Sequence, residues 1–267
     1  MGGKTGTRNT PTVYNAAFQT RLFWDGRAPS LEAQALDPLV NPREMAMPSL
    51  AAVANRVRAD PAYAPAFRRA FGSDTVTIGR IAQALAAFQR TLVTADSPYD
   101  RFLAGAADAL SPAQKRGMWL FRTLGCATCH AGPNFGGAPS AFRAFLVDRA
   151  PEAKDHGLAA DKGRAGPGAA NGVWRVPSLR NVALTAPYFH NGSVADLARA
   201  VRIMAAAQLN ARVGDPPAGA RFAPRWSAAA GRFERPGRKR VTEADLADLV
   251  AFLGALTSER LARRAGS

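Results

Sequence analysis

Cys126-Ala127-Thr128-Cys129-His130 holds both cysteines of the 267-residue chain, with a histidine directly behind them. Two thiols at this spacing and an adjacent imidazole are the arrangement that anchors a c-type haem. The thiols form thioethers with the porphyrin vinyl groups, and the imidazole ligates the iron. A thioredoxin-type redox pair or a disulfide would use the same cysteines without requiring His130. No second Cys/His pair is present to complete a structural zinc site. Read as a haem anchor, the motif makes the surrounding chain a cytochrome-type domain.

Outward from the motif, the pattern is helical. Ser111-Pro112-Ala113-Gln114 reads as a capping box with proline at the first helical position. The helix it opens runs through Met118, Phe121 and Leu124 to Gly125, and so delivers the chain to Cys126. Residues 131–175 are rich in Gly, Pro and Ala and read as loops over the haem. Ser193 is expected to cap a helix carrying Leu197, Val201 and Met204 at i, i+4 and i+7. Residues 210–240 form a second loop-rich insertion, basic toward its end, and a last helix starts at Thr242 with Leu246, Leu249, Val250, Leu253 and Leu256 as its stripe. Before the motif, residues 1–48 read as ordered loops with short helices, followed by helices over 49–60 and 61–71. A clear amphipathic helix covers 77–93, with Ile78, Ile81, Leu85, Phe88 and Leu92 on one face. Asp96-Ser97-Pro98 ends it at a module boundary. No alternating strand pattern of useful length occurs and no internal repeat is visible, so the expected fold is all-α with long loops.

With 47% apolar residues the chain can build a packed core. Its net charge of +15 comes mostly from arginines. These are scattered and carry no recognition motif, which argues against nucleic acid. A solvated basic surface is one reading, and acidic redox partners docking by electrostatic steering are the functional one. No run of about 18 apolar residues exists, so no membrane span is expected. The first residues lack the apolar segment of a leader, although covalent haem attachment in bacteria follows export. A removed leader or a late start reconciles the two.

A six-coordinate electron-transfer haem needs a second axial ligand beside His130, and a methionine thioether favours the reduced iron. Met204 suits the role by position, and Met118 can be argued on the same terms. Methionine on an apolar helical face is ordinarily core packing, so position alone leaves this open. His190, in Ala186-Pro187-Tyr188-Phe189-His190-Asn191-Gly192, is open between ligand, proton shuttle and loop residue. His156 reads as a surface histidine.

Several segments together resemble the bacterial diheme cytochrome c peroxidases and their relatives. They are Arg8-Asn9-Thr10-Pro11-Thr12-Val13-Tyr14-Asn15-Ala16, Phe23-Trp24-Asp25-Gly26-Arg27-Ala28 and Asn41-Pro42-Arg43-Glu44-Met45-Ala46-Met47, then the haem motif. Pro177-Ser178-Leu179-Arg180-Asn181-Val182 follows, running into Pro187-Tyr188-Phe189-His190-Asn191-Gly192, and then Met204 with Ala207-Gln208-Leu209. The resemblance implies two cytochrome-c-like domains, here residues 1–105 and 106–267. It implies two c-type haems: an N-terminal one where hydrogen peroxide is reduced to water, and a C-terminal His/Met one fed by a small cytochrome or copper protein. His130 and Met204 match the axial pair of the C-terminal haem; a relative that matures methylamine dehydrogenase has tyrosine there, so Met204 implies peroxidase chemistry. Glu44 matches the acid/base carboxylate beside the peroxidatic haem, Gln34 a polar neighbour, and Trp24 the tryptophan between the haems. Asn9, Thr185 and Pro187 match positions that hold a calcium ion, the last two through carbonyls, and oxygen ligation suits calcium. A periplasmic homodimer is the further implication.

One departure stands against this pattern. The family's earlier Cys-x-x-Cys-His is absent, and the distal histidine would fall at or before Met1. The sequence therefore implies one covalent haem in this chain where the family has two. A fragment, or a late start, accounts for the loss of leader, first motif and distal histidine together. The alternative is a short monohaem electron-transfer protein without peroxidase activity.

Overall fold

The computed structural model describes residues 3–137, 141–164, 172–214, 225–227, 232–234 and 240–265. The chain forms two compact units, Met1–Thr94 and Ala95–Ser267. This division falls ahead of the 105/106 boundary expected from sequence. The reason is the helix Pro98–Leu103, whose neighbours lie in the second unit: the Tyr99 amide donates to Ala255 O at 3.1 Å, and the Tyr99 ring packs edge-on against Phe135 and Phe252.

The first unit holds α1 (Leu31–Val40), α2 (Leu50–Ala59), α3 (Tyr63–Phe71) and α4 (Ile78–Thr91). Ser30, Ser49 and Thr77 each accept a backbone N–H at a helix start, satisfying amides that have no partner within the helix. α4 packs on α1 and α2. Its buried face is Ile81, Ala82 and Ala86, which is narrower than the stripe expected from sequence. Leu85 and Phe88 belong to that stripe, yet they are 38% and 62% exposed.

The second unit continues with α5 (Pro98–Leu103), α6 (Pro112–Thr123), α7 (Pro151–Asp155), α8 (Leu197–Leu209), α9 (Glu243–Gly254) and α10 (Glu259–Ala265). The expected capping box opens α6: the Ser111 amide donates to Gln114 Oε1 at 2.9 Å, and the Gln114 amide donates to Ser111 Oγ at 3.2 Å. Thr242 and Asp245 do the same for α9. α6 and α9 cross at Gly117, where a Cβ would stand 1.9 Å from Asp248 O and 2.8 Å from Phe252 Cβ, so only glycine permits this approach. Around the crossing, the rings of Tyr99, Phe121, Phe135 and Phe252 meet at 5.2–6.1 Å, a separation typical of edge-to-face aromatic packing.

The chain is mainly helical, as expected. Short strands nevertheless occur where only loops were foreseen. β1 (Phe142–Ala144) pairs antiparallel with β2 (Val173–Arg175). Within the basic insertion Arg212–Val213 runs parallel to Arg240–Val241, and Arg225–Ser227 pairs antiparallel with Arg232–Glu234. Pairs of two or three residues are too short to leave an alternating signature. The rest of 215–239 lies outside the described residues. α8 departs in its cap: Asp196, not Ser193, accepts the Arg199 amide at 2.7 Å. Ser193 is held in the preceding turn, its amide on Asn191 Oδ1 and its carbonyl on His156 Nδ1.

The structure also reveals an internal repeat that the sequence reading missed. Asn15, Phe23 and Gly26 have φ of 59°, 66° and 68°; Asn181, Phe189 and Gly192, each 166 positions on, have 62°, 66° and 66°. Three-residue 3-10 turns follow both asparagines, Ala16–Phe18 and Val182–Leu184. Antiparallel bridges Leu22↔Ala28 and Tyr188↔Val194 close both loops. The same spacing carries the helix cap Ser30 of α1 onto Asp196 of α8. Few side chains survive between the copies, so the likeness lies in backbone geometry that Asn and Gly permit.

Candidate haem centre

Gly125, with φ 105°, ends α6 and turns the chain into the 3-10 turn Cys126–Thr128. Cys126 O then accepts from the Cys129 amide at 3.2 Å and the His130 amide at 2.9 Å. Residues i, i+3 and i+4 wound this tightly share a side, so two thiols and an imidazole are grouped. The two cysteines form no disulfide with each other, and both are half-buried.

Residues 131–137 fold back beneath the motif. The Gly137 amide donates to Ala131 O at 3.1 Å, and a Cβ on Gly137 would lie 2.7 Å from Cys129 O. Phe135, at φ 48°, presents its carbonyl 3.0 Å from His130 Nδ1. A carbonyl only accepts, so the proton sits on Nδ1 and Nε2 keeps its lone pair for a metal. Burial lowers the affinity of His130 for a second proton, and this outweighs the raising effect of the Phe135 and Pro177 carbonyls. The neutral ring is the ligating form.

Buried Arg180 pins this loop. Its Nε donates to Pro133 O at 2.8 Å, and its Nη1 donates to Asp100 Oδ2 at 2.7 Å. Its guanidinium lies 5.6 Å from the Phe135 ring centroid. Ser178 Oγ donates to Asn134 O at 2.6 Å. For Asp100, burial acts to raise the carboxyl, but bonds from Ser97 and Arg180 overcome it and hold the group below its ordinary range. Sequence reasoning named Arg180 only as part of a family segment and missed this clamp on the loop behind His130.

Met204 lies on α8, whose neighbours Ala200, Ile203, Ala205 and Ala207 enter the apolar cluster. Met204 itself is half-buried and is not among the described side chains packed on that cluster, whereas Met118 is. This favours Met204 over Met118 as the thioether with a role outside packing. Two unpaired cysteines one turn apart, an imidazole whose Nδ1 faces a carbonyl and a half-buried methionine form a donor set that fits a c-type haem.

The remaining candidates are dispersed. His190 is buried and stacked on Trp174 with ring centroids 4.0 Å apart. His156 is half-buried, with Nδ1 3.1 Å from Ser193 O and its carbonyl accepting from Asn191 Nδ2 at 2.8 Å, so it is built into the fold and does not hang in solvent. In the first unit Trp24 Nε1 donates to Asn9 O at 2.9 Å, joining two residues expected to serve different roles. Gln34 lies on α1 and is half-buried. Glu44 is exposed in the turn after α1, its Oε1 3.2 Å from Asn41 Nδ2. Thr185 and Pro187 share one loop of the second unit, while Asn9 belongs to the first. Among the described residues no three His, Cys, Asp or Glu side chains converge. The repeat also exposes a residue the sequence reading overlooked. Pro38 of α1 stands at the register of Met204 of α8 and offers no ligand atom.

Residues 1–108 match the family described as Di-haem cytochrome c peroxidase, and residues 114–257 match Cytochrome c. The chain belongs to the di-haem cytochrome c peroxidase and MauG family. Cytochrome c551 peroxidase of Pseudomonas aeruginosa is 44% identical over 214 residues, covering 78% of this chain and 60% of the relative. Methylamine utilization protein MauG of Paracoccus denitrificans is 39% identical over 235 residues, covering 75% and 60%. The chain thus spans about 60% of the length of these curated relatives. A crystal structure of a MauG-like protein associated with microbial copper homeostasis superposes with a TM-score of 0.70 at 32% identity, covering 97% of this chain and 78% of the other. The diheme peroxidase BthA of Burkholderia thailandensis gives 0.67 at 26%, covering 97% and 74%. The cytochrome c match carries covalently bound haem c with it. No described helix is long and apolar enough to cross a membrane.

Proposed function

We propose that this chain serves in a cytochrome c peroxidase, reducing hydrogen peroxide to water with electrons that a small cytochrome or copper protein delivers at the 126–130 centre. The observation that carries this reading is the half-buried Met204 thioether on α8, outside the described core packing. A haem bound there supplies reversible one-electron storage. Cys126 and Cys129 would hold it covalently, and His130 would face the iron through Nε2. Met204 would supply its thioether as a further ligand, leaving that position closed to peroxide, and would favour the reduced state. In the first unit Pro38 fills the register of Met204, so nothing at that position competes with substrate. There Glu44 would take a proton from peroxide and return it to the leaving oxygen, with Gln34 beside it and Trp24 relaying electrons. Reduction of one peroxide to two waters consumes two electrons and two protons. The same reading assigns calcium to Asn9, Thr185 and Pro187, and assigns the protein to the periplasm as a homodimer.

The test is the haem-to-chain ratio of the purified protein together with peroxide consumption in the presence of a reduced donor. Haem stain that survives boiling in detergent, with peroxide turnover, supports the proposal. Loss of the stain refutes attachment at Cys126 and Cys129. Met204→His should lower the haem potential and remove any methionine-to-iron band; an unchanged spectrum would mean another residue is the ligand. A second reading, a monohaem electron carrier, is favoured by the presence of both cysteines in one motif. Loaded protein that exchanges electrons with a donor yet leaves peroxide untouched would establish it.

A further inference from the structure

We propose that the outward face of α6, with the end of α5 beside it, docks an acidic electron-donor protein; this rests on reading the 126–130 centre as the point of electron entry. Trp119 of α6 is 63% exposed and Leu103 of α5 is 64% exposed. Lys115 of α6 reaches α5, its Nζ lying 5.8 Å from the centroid of the ring of Phe102, the residue before Leu103. Lys115 precedes Trp119 by four residues and Arg122 follows it by three, so both flank the indole on the helix surface. Arg116 also flanks it and is already paired with Asp248 at 2.7 Å. Among the described residues neither Lys115 nor Arg122 enters an ion pair. The patch is therefore a large aromatic surface rimmed by unneutralised cations, in a chain of net charge +15. Exposed tryptophan is the residue type most enriched at binding hot spots. Its apolar area remains in water unless a partner covers it.

The surface and the haem anchor share one rigid element. Thr123 Oγ1 donates to Trp119 O at 3.0 Å, α6 ends at Thr123, and Cys126 follows in the tight turn. A complementary partner has an apolar centre ringed by Asp and Glu, and its charge also accelerates encounter. A second copy of this chain fits poorly, because a two-fold contact would bring Lys115 and Arg122 close to their own copies.

The test is stopped-flow reduction of the haem-loaded protein by a reduced c-type cytochrome of net negative charge. A net-positive mitochondrial-type cytochrome c serves as the control donor, and a neutral hydroquinone as the small reductant. Trp119→Ala should slow association with the acidic donor at least tenfold, in the manner of a hot spot. The double substitution Lys115→Glu with Arg122→Glu should also slow it and flatten its dependence on salt. Reduction by the hydroquinone and the melting temperature should not change. An unchanged rate for Trp119→Ala, or equal slowing with the hydroquinone, overturns the proposal. So does a dimer, seen by light scattering, that Trp119→Ala dissociates while donor association is unaffected. If the hydroquinone fails to reduce the wild-type haem, the reading of the centre itself falls, which separates the two failures.

Discussion

Asn15 and Asn181 perform the same task in the two units, on helices with very different surroundings. The Asn15 amide donates to Leu92 O after α4 at 2.9 Å, and the Asn181 amide donates to Leu256 O after α9 at 3.1 Å. Two residues further along, the Thr94 and Ser258 amides donate to the asparagine Oδ1 atoms at 2.9 and 2.8 Å. These bonds set α4 on α9 in register: Leu85 corresponds to Leu249, Phe88 to Phe252 and Leu92 to Leu256. In α9 and just after it all three are no more than 2% exposed, whereas in α4 Phe88 is 62% exposed. A few residues able to hold a left-handed turn are enough to rebuild the corner. Burial is a property of what lies across the helix, and in the second unit that is α6, seated through Gly117.

Core truncation should separate the two helices most sharply. Phe252→Ala should destabilise the protein by about 3–5 kcal/mol, the usual range for emptying a packed aromatic site. Phe88→Ala should stay within about 0.5 kcal/mol, as surface changes do. Urea midpoints with unchanged slopes measure both. A Phe88→Ala loss near that of Phe252→Ala would show that the α4 face is covered in solution, and the contrast would collapse. Gly117→Ala sharpens it from the other side: a methyl 1.9 Å from Asp248 O must part α6 from α9, and should expose Phe252 while leaving α4 as it was.

The same contrast marks what the sequence could disclose. Helix starts were legible at Ser111 and Thr242, where a hydroxyl and an amide or carboxylate stand three residues apart, because a cap is a local bond; the same box at Ser97 and Asp100 was read only as a boundary. The cytochrome motif was legible because Cys126, Cys129 and His130 act within one turn. The exposure of Leu85 and Phe88 was not, since periodicity reports which residues share a face and not whether anything packs there. The hold on the His130 tautomer was also hidden. Phe135 O supplies it, and a backbone carbonyl leaves no trace in residue identity. The repeat escaped because its two copies share φ values more than side chains. With it escaped Pro38, which carries meaning only when aligned with Met204.

If the corners are equivalent, their removal should have equal effects. Asn15→Ala and Asn181→Ala each delete buried hydrogen bonds and place at positive φ a residue that tolerates it less well than asparagine. Each should therefore cost about 1–3 kcal/mol. Asn→Asp at either site keeps the acceptor that receives the Thr94 or Ser258 amide, and should lose less than Ala. A large loss at Asn181 with a negligible one at Asn15 would mean that the first corner is geometry without energetic weight.

The smallest expected difference concerns acid. Each unit holds a partly buried carboxylate against an arginine that is itself largely covered: Asp25 with Arg8, and Asp100 with Arg180. For both, burial works to raise the carboxyl but is outweighed, in Asp25 by bonds from Arg8 and Arg27 and in Asp100 by bonds from Ser97 and Arg180. Both folded values therefore lie below the ordinary 3.8. A carboxyl lowered on folding contributes stability that is fully present above its unfolded value and is lost as pH falls through the folded one. Asp100→Asn should thus weaken the protein at neutral pH by on the order of 1 kcal/mol, and this deficit should shrink as pH falls below 3.8 through the lowered folded value. Asp25→Asn should follow the same course with a smaller amplitude, since Arg8 is 22% exposed and Arg180 only 8%, and a more buried cation is harder to leave without its partner. Urea unfolding at pH 7 and pH 3 measures both. Equal amplitudes would mean that the loop behind His130 owes its position to Pro133 and Ser178 rather than to the Asp100–Arg180 pair.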